Sequence, residues 1–343
     1  MRHWKYIVVF LLLTVDIVCP VCAQTSVPFS ETPPNFKIAF IGDQGLGKDA
    51  EAVLRLIKSE GAQAVLHQGD FDHEDNPVAW EAQINKILGQ NFPYFASPGN
   101  HDIKRWNGED GYQQYLKNRL NRLNIVWNGD FGVKSSVQYK GIFIILVSPA
   151  EMGIDHAPYI REQLAEDKSI WSICSWHKNM HLMQVGKQGD ATGWDVYEEA
   201  RKGGAIIATG HDHSYGRTHL MNSFVNQTIE SYSNRMIIAE GQTFAFVSGL
   251  AGAKIHDQKV HGLWWARIYT KTQGATSGAL FGVFNADGVP NKAMFYFKNI
   301  KGDLIDRFDV ISNVHGSTIF QQRRALQQET FENQTNKSKN QGK

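Results

Sequence analysis

Five short apolar, β-branched runs in this chain stop abruptly on polar residues from a narrow set. Phe36-Lys37-Ile38-Ala39-Phe40-Ile41 runs into Gly42-Asp43-Gln44-Gly45, and Ala64-Val65-Leu66 leads to Gly69-Asp70-Phe71-Asp72-His73. Tyr94-Phe95-Ala96 precedes Gly99-Asn100-His101-Asp102, Ile170 to Trp176 ends in a lone His177, and Ala205-Ile206-Ile207-Ala208 ends in Gly210-His211-Asp212-His213. Runs of this length bounded by glycine read as buried strands. Asp, Asn and His at their ends would hold oxygen and imidazole donors on rigid elements at one rim of a sheet.

The segments between the runs support that layout. Residues 49–59 have helical spacing, with Ala50, Val53, Leu54 and Ile57 on one side, and 78–88 is helical too. A β-α-β-α-β order implies parallel strands and right-handed crossovers, and ligands of such sheets gather beyond the carboxyl ends of the strands. Helices are also expected at 112–123, 159–167 and 194–202, and two strands within 136–147. Beyond 235 the helical signal vanishes. Residues 236–239, 243–247, 279–285, 293–299 and 304–310 read as antiparallel strands with glycine turns. The assembly these elements imply is two packed sheets flanked by helices.

With 343 residues, 42% of them hydrophobic, the chain has globular composition. A formal net charge of +1 argues against a broad nucleic-acid-binding face. Arg2, His3 and Lys5 precede apolar Ile7 to Val15 and the small-residue exit Val21-Cys22-Ala23. This is the pattern of a signal peptide, residues 1–23, cleaved after Ala23. Its apolar run is short and interrupted by Asp16, so no stable membrane span is expected after cleavage. A secreted or periplasmic address follows. Cleavage would remove Cys19 and Cys22 and leave Cys174, in an apolar run, as a buried thiol without a disulfide. Pro28, Pro33 and Pro34 mark a linker over 24–35. The polar stretch 312–343, rich in Gln, Asn, Lys and Ser from Gln321 onward, reads as disordered, and its sequons at Asn333 and Asn336, like that at Asn226, matter only in a eukaryotic host.

Asp43 and Asp70 lie 27 positions apart, about one strand–helix–strand unit. Their side chains can meet at neighbouring strand ends, and Asp70 can bridge two cations with its two oxygens. Asn100 offers an amide oxygen, and His177 and His211 offer imidazoles. His213, two residues on, points the same way as His211 in extended backbone, whereas a tight turn would present each ring to a different metal. Paired cations about 3.5–4 Å apart clamp the attacking and leaving oxygens of a phosphoryl displacement. Each residue alone is ordinary turn chemistry; the joint order carries the reading.

The order G-D-Q-G, G-D-F-D-H, G-N-H-D, a lone His and G-H-D-H resembles the calcineurin-like metallophosphoesterases. It is most similar to the purple acid phosphatase branch, through the first motif and the extension Gly210-His211-Asp212-His213-Ser214-Tyr215-Gly216-Arg217-Thr218. The closing strands from Ala279 to Val310 are similar as well. The resemblance covers residues 36–311 and implies one catalytic domain of the short form. The fold it implies is α/β (α+β): a four-layer αββα sandwich of two mixed β-sheets flanked by helices. It also implies two metal ions per subunit, one held by Asp43, Asp70, His213 and a further ligand, the other by Asp70, Asn100, His177 and His211. His101 would donate the proton to the leaving oxygen or stabilise transition-state charge, with Asp102 orienting it.

One position departs from the purple branch. Three residues after the bridging aspartate that branch has a ligand tyrosine; here the residue is His73. Many other members have a histidine two residues after the first aspartate, where this chain has Gly45. Site one is a ligand short unless His73 fills it, and an imidazole there favours Zn, Mn or Fe(II) over a ferric ion. The alternative is a solvated His73 with water completing the site. His181 could reach a substrate phosphate or lie in a surface loop, and His67 could support the second cluster from behind. His156, His219, His256 and His261 form no pattern. Trp264-Trp265 reads as packing and Gly249 and Gly252 as a tight turn.

The function expected is an exported phosphatase that hydrolyses phosphate monoesters, small-molecule or phosphoprotein, through a dinuclear centre and metal-bound hydroxide. The alternatives are a phosphodiesterase acting on nucleotides or lipid headgroups, and a silent binding protein that keeps the fold. Oligomeric state is not legible in the sequence.

Overall fold

A computed structural model of the chain describes residues 31–186, 189 and 192–315. The expected signal peptide, the bulk of the linker and the C-terminal residues 316–343, with Asn333 and Asn336, lie outside the described residues. Among those described, no helix is long and apolar enough to cross a membrane.

In chain order the first half comprises β1 (Phe36–Ile41), α1 (Lys48–Ser59), β2 (Ala64–His67), α2 (Pro77–Ile87), β3 (Tyr94–Ala96), α3 (Ile103–Trp106), α4 (Tyr112–Arg122), β4 (Trp127–Asp130), β5 (Lys134–Tyr139), β6 (Ile142–Val147), α5 (His156–Glu166) and β7 (Trp171–Ser175). There follow α6 (Asp195–Lys202), β8 (Ile206–Thr209), β9 (Tyr215–Thr218), β10 (Leu220–Ser223), β11 (Thr228–Ser231), β12 (Arg235–Ile238), β13 (Ala245–Ser248), β14 (Trp265–Tyr269), β15 (Gly278–Phe284), β16 (Lys292–Asn299) and β17 (Leu304–Ser312). The helices follow from local chemistry. Ala50, Val53, Leu54 and Ile57 make the buried face of α1. The Asn76 side chain caps α2 by accepting the Ala79 N–H, and Pro77 sits at its first turn.

The strands form a seven-stranded sheet ordered β12-β17-β16-β15-β1-β2-β3, an eight-stranded sheet ordered β14-β9-β13-β8-β7-β6-β5-β4, and the hairpin β10-β11. Both large sheets are mixed, as expected for two packed sheets flanked by helices. Phe40, Phe244, Phe246, Phe295 and Phe308 share one core between the sheets, with the Phe40 and Phe246 rings 5.2 Å apart across it. A second core packs Ile145, Cys174 and Ile207 of the eight-stranded sheet against Ile160 and Leu164 of α5 and Val196, Tyr197 and Ala200 of α6. Cys174 is buried within it as a free thiol, and burial pushes its pKa up.

β1, β2 and β3 are parallel, as the β-α-β-α-β order requires. Two of the expected antiparallel strands are parallel to a neighbour: β13 to β8 and β12 to β17. Apolar periodicity marks a strand without fixing its direction. Here the chain travels through β9 to β12 before β13 returns beside β8 in the same sense. The five polar clusters also do not share a rim of one sheet. Three end strands of the seven-stranded sheet and two end strands of the eight-stranded one. At the expected tail, Ser312 ends β17 and the Asn313 N–H bonds Ile238 O. Strands β4, β9, β10, β11 and β14 have too few alternating apolar residues to stand out in the sequence.

Candidate metal centre

Three of the clusters turn the chain sharply at a strand end. Asp43, Asp70, His73 and His211 have φ of 56°, 56°, 59° and 68°, the left-handed region that side-chain-bearing residues rarely enter. Such residues cost of order 1–3 kcal/mol each and persist only where their surroundings fix them. In the second cluster Phe71 supplies the anchor, its ring 4.7 Å from Trp80 and 5.1 Å from Tyr112. Asp72 closes the turn by accepting the N–H groups of Glu74 and Asn76 and the Tyr112 hydroxyl. Asp70 and His73, on either side, are thereby aimed at the rim.

Two groups of donor atoms result. Those of Asp43, Asp70, His73 and His213 lie within 4.8 Å of one another, and so do those of Asp70, His177 and His211. Asp70 belongs to both. Its Oδ2 is 3.3 Å from His73 Nε2 and 3.3 Å from His177 Nε2. Asn100 Oδ1 lies 3.3 Å from His177 Nε2, and His211 Nδ1 lies 3.2 Å from it. His213 Nε2 is 3.5 Å from Asp43 Oδ1.

The chemistry of these donors fits cations. His73, His177 and His213 each direct Nδ1 at a backbone carbonyl, of Gln44, Gln68 and Lys254, at 2.9, 2.6 and 2.8 Å. A carbonyl only accepts, so Nδ1 carries a proton and Nε2 is the ring atom turned toward the carboxylates, the one left to ligate a cation. Asp43 is buried, and neither of its oxygens accepts a hydrogen bond from the described residues, a costly state for a carboxylate unless a positive charge answers it. Burial, with the Asp70 charge adding, pushes Asp43 up to about 7. Burial opposes charge on His177 and His73, but Asp70 prevails and raises them to about 10 and about 9. Imidazole nitrogens and carboxylate oxygens thus converge on two points that share one carboxylate. Carboxylate, amide and imidazole donors without thiolate suit divalent transition metals.

The sequence model of the calcineurin-like phosphoesterase family matches residues 36–215, which include every residue of both groups. The chain belongs to the calcineurin-like phosphoesterase family. A comparison with curated proteins gave no significant match. Among solved structures, a purple acid phosphatase from yellow lupin (Lupinus luteus) seeds superposes with a TM-score of 0.62 at 15% identity, over 80% of this chain and 53% of that one. The chain therefore spans about half the length of the lupin protein. PhoD gives a TM-score of 0.52 at 12% identity, over 81% of this chain and 72% of its own. GAP50, the anchor in the inner membrane complex of Plasmodium, gives 0.50 at 11% identity, over 81% and 89%. These likenesses are of fold.

The remaining expected residues divide. His101 is exposed at the rim, with its ring 4.5 Å from that of His73 and its N–H donating to Asp70 Oδ1 at 3.0 Å. Asp102 is buried and accepts the N–H groups of Gly99, Asp70 and Phe71 at 2.7, 2.8 and 2.9 Å. Burial pushes its carboxyl up and the amide donors oppose that. It thereby holds the loop that carries Asp70 in place. Gly99 has no room for a side chain, because a Cβ there would press on the Asp70 carboxylate and N–H. His67 lies in the core, its Nδ1 2.8 Å from the Tyr94 hydroxyl, and burial lowers its pKa to about 3. His181 sits in a 3₁₀ turn outside both groups. Trp265 packs over Gly216 at the edge strand β14.

His256 carries no sequence signal, yet it packs against the centre. Its ring stacks on His213 at 4.4 Å and 6°, and its Nδ1 lies 2.9 Å from Asp212 Oδ1. Asp212 also accepts the N–H groups of Val185 and Gly186 and the Ser214 hydroxyl. Gly249 serves close approach: a Cβ there would meet Asp43 and the Asp212 carbonyl.

Proposed function

We propose that this phosphoesterase is an exported phosphatase of phosphate monoesters, small-molecule or phosphoprotein, that works with two cations. The observation that carries the reading is the pair of donor groups meeting at Asp70. Asp43, Asp70, His73 and His213 would hold one cation, and Asp70, Asn100, His177 and His211 the other. Bound there, paired cations neutralise charge on the phosphoryl group and supply a nucleophile at neutral pH. Asp70 holds the two positions at a fixed spacing. The Nδ1–carbonyl bonds keep the imidazoles in the ligating tautomer. His101, exposed beside His73, is placed to pass a proton to the departing oxygen. The basic, apolar N-terminal sequence supports export.

The test is chelation followed by Zn, Mn or Fe repletion, read on an aryl phosphate and its bis-aryl diester. Activity should vanish and return, with the monoester faster. A faster diester would make this a phosphodiesterase, and two bound metals without turnover would make it a binding protein. His73 adds a spectroscopic check. The wild type should lack a tyrosinate-to-iron band, and His73→Tyr should gain one with iron; a purple wild type would overturn the assignment of His73.

A further inference from the structure

We propose that Lys178 sets the preference of this site for dianionic phosphate monoesters over monoanionic diesters. The proposal rests on the phosphoesterase reading above. Lys178 directly follows His177 at the end of β7. β6 is the parallel neighbour of β7, with Leu146 opposite Ser175, so the chains leaving both strands emerge side by side at the metal centre. The chain after β6 turns at once: the Ser148 carbonyl accepts the N–H groups of Glu151 at 3.2 Å and Met152 at 3.0 Å. Ala150, with φ of 62°, completes the turn. Glu151 is thereby brought to Lys178, and Lys178 Nζ lies 3.0 Å from Glu151 Oε1.

Three features make this pair more than a link between loops. Both side chains are largely buried, with 15% of Lys178 and 6% of Glu151 exposed, so charge here is weakly screened. The contact is close but lacks hydrogen-bond alignment, since Glu151 Oε1 is without a hydrogen-bond partner among the described residues. The two groups still form a close ion pair, so Glu151 tempers the ammonium charge that a substrate meets. Burial raises the Glu151 carboxyl, and Lys178 and the charge of His177 oppose that. A buried ion pair is in itself a poor source of stability. A cation beside a phosphoryl site has a direct use: it attracts a substrate with two negative charges more than one with a single charge.

The experiment uses the metal-loaded protein as wild type, Lys178→Met, Lys178→Arg and Glu151→Gln. It measures inorganic phosphate binding by calorimetry and KM for 4-nitrophenyl phosphate and bis(4-nitrophenyl) phosphate. Lys178→Met should weaken phosphate binding and raise the monoester KM by about 10- to 100-fold, the range of one charge-assisted hydrogen bond. The diester KM should move less than about threefold. Lys178→Arg should recover most of the loss. Glu151→Gln should lower the monoester KM, because it frees the ammonium. If the pair only ties two loops together, Lys178→Met and Glu151→Gln will shift KM in the same direction and equally for both esters, and that result overturns the proposal. A wild type that hydrolyses neither ester sinks the phosphoesterase reading instead. The phosphate titration then still decides Lys178, and an affinity unchanged in Lys178→Met refutes its role.

Discussion

The two sheets face each other across the centre and bring different chemistry to it. The seven-stranded sheet, through the ends of β1, β2 and β3, contributes every oxygen donor: Asp43, Asp70 and Asn100, with His73 as its one imidazole. The eight-stranded sheet, through β7 and β8, contributes imidazoles alone: His177, His211 and His213. One side carries the carboxylates, the shared one among them, and the other carries imidazoles. Neither sheet holds a complete group, so the site exists only while the strand ends stay aligned. The Ser97 hydroxyl donating to Ser175 O at 3.1 Å, between the ends of β3 and β7, and the Phe40–Phe246 contact between the sheets keep them so.

The largest effect should come from the residue that both groups share. Asp70→Asn keeps the shape and removes the charge that bridges them. Metal content should fall at both positions, and activity should drop by more than the 10- to 100-fold typical of outer partners. His211→Ala, on the imidazole side, should lose metal at one position only. Metal analysis of the two variants side by side decides this. Equal loss in both would break the division between a carboxylate side and an imidazole side.

Next in size are the two buried aspartates that hold the loops, one on each sheet. Asp102→Ala leaves the N–H groups of Gly99, Asp70 and Phe71 without an acceptor. At about 1–3 kcal/mol for each unsatisfied buried group, before relaxation, the loss of stability should be several kcal/mol. Metal affinity should fall about 10- to 100-fold because the Asp70 loop is freed. Asp212→Ala should destabilise comparably, since Val185, Gly186, Ser214 and His256 lose their acceptor. Its metal loss should be confined to the group containing His213. Denaturant titration and metal stoichiometry separate the two; identical metal loss would show that the loops are not independent.

The donors were legible in the sequence because each ends an apolar run, and a strand end is a place that a linear pattern can mark. Asp43, Asp70, Asn100, His177 and His211 needed only that. His73 was legible as a position, while its convergence with Asp43 and His213 depends on a left-handed backbone that no pattern reveals. The carbonyls of Gln44, Gln68 and Lys254, which fix the imidazoles, leave no trace in residue identity. Asp102 and Asp212 stand among the candidate ligands, yet Asp102 accepts backbone amides and Asp212 accepts two amides and the Ser214 hydroxyl and faces His256. Strand direction in β12 and β13 was hidden for a related reason: it is set by the path of the chain between strands.

The smallest expected effect belongs to His256, which touches only the His213 edge of the centre. Its ring lies flat against His213 and its Nδ1 faces Asp212, so it keeps the His213 ring from swinging while Lys254 O holds Nδ1. His256→Ala removes the stack and leaves the carbonyl bond. Metal affinity at the His213 position should fall no more than about 10-fold, the low end for an outer partner, and stability by less than about 1 kcal/mol. His256→Phe restores a flat ring without the polar contact and should recover most of the affinity if stacking is what matters. Failure of Phe to rescue would assign the effect to the link with Asp212, and the imidazole side would then be held through hydrogen bonds, as the oxygen side is.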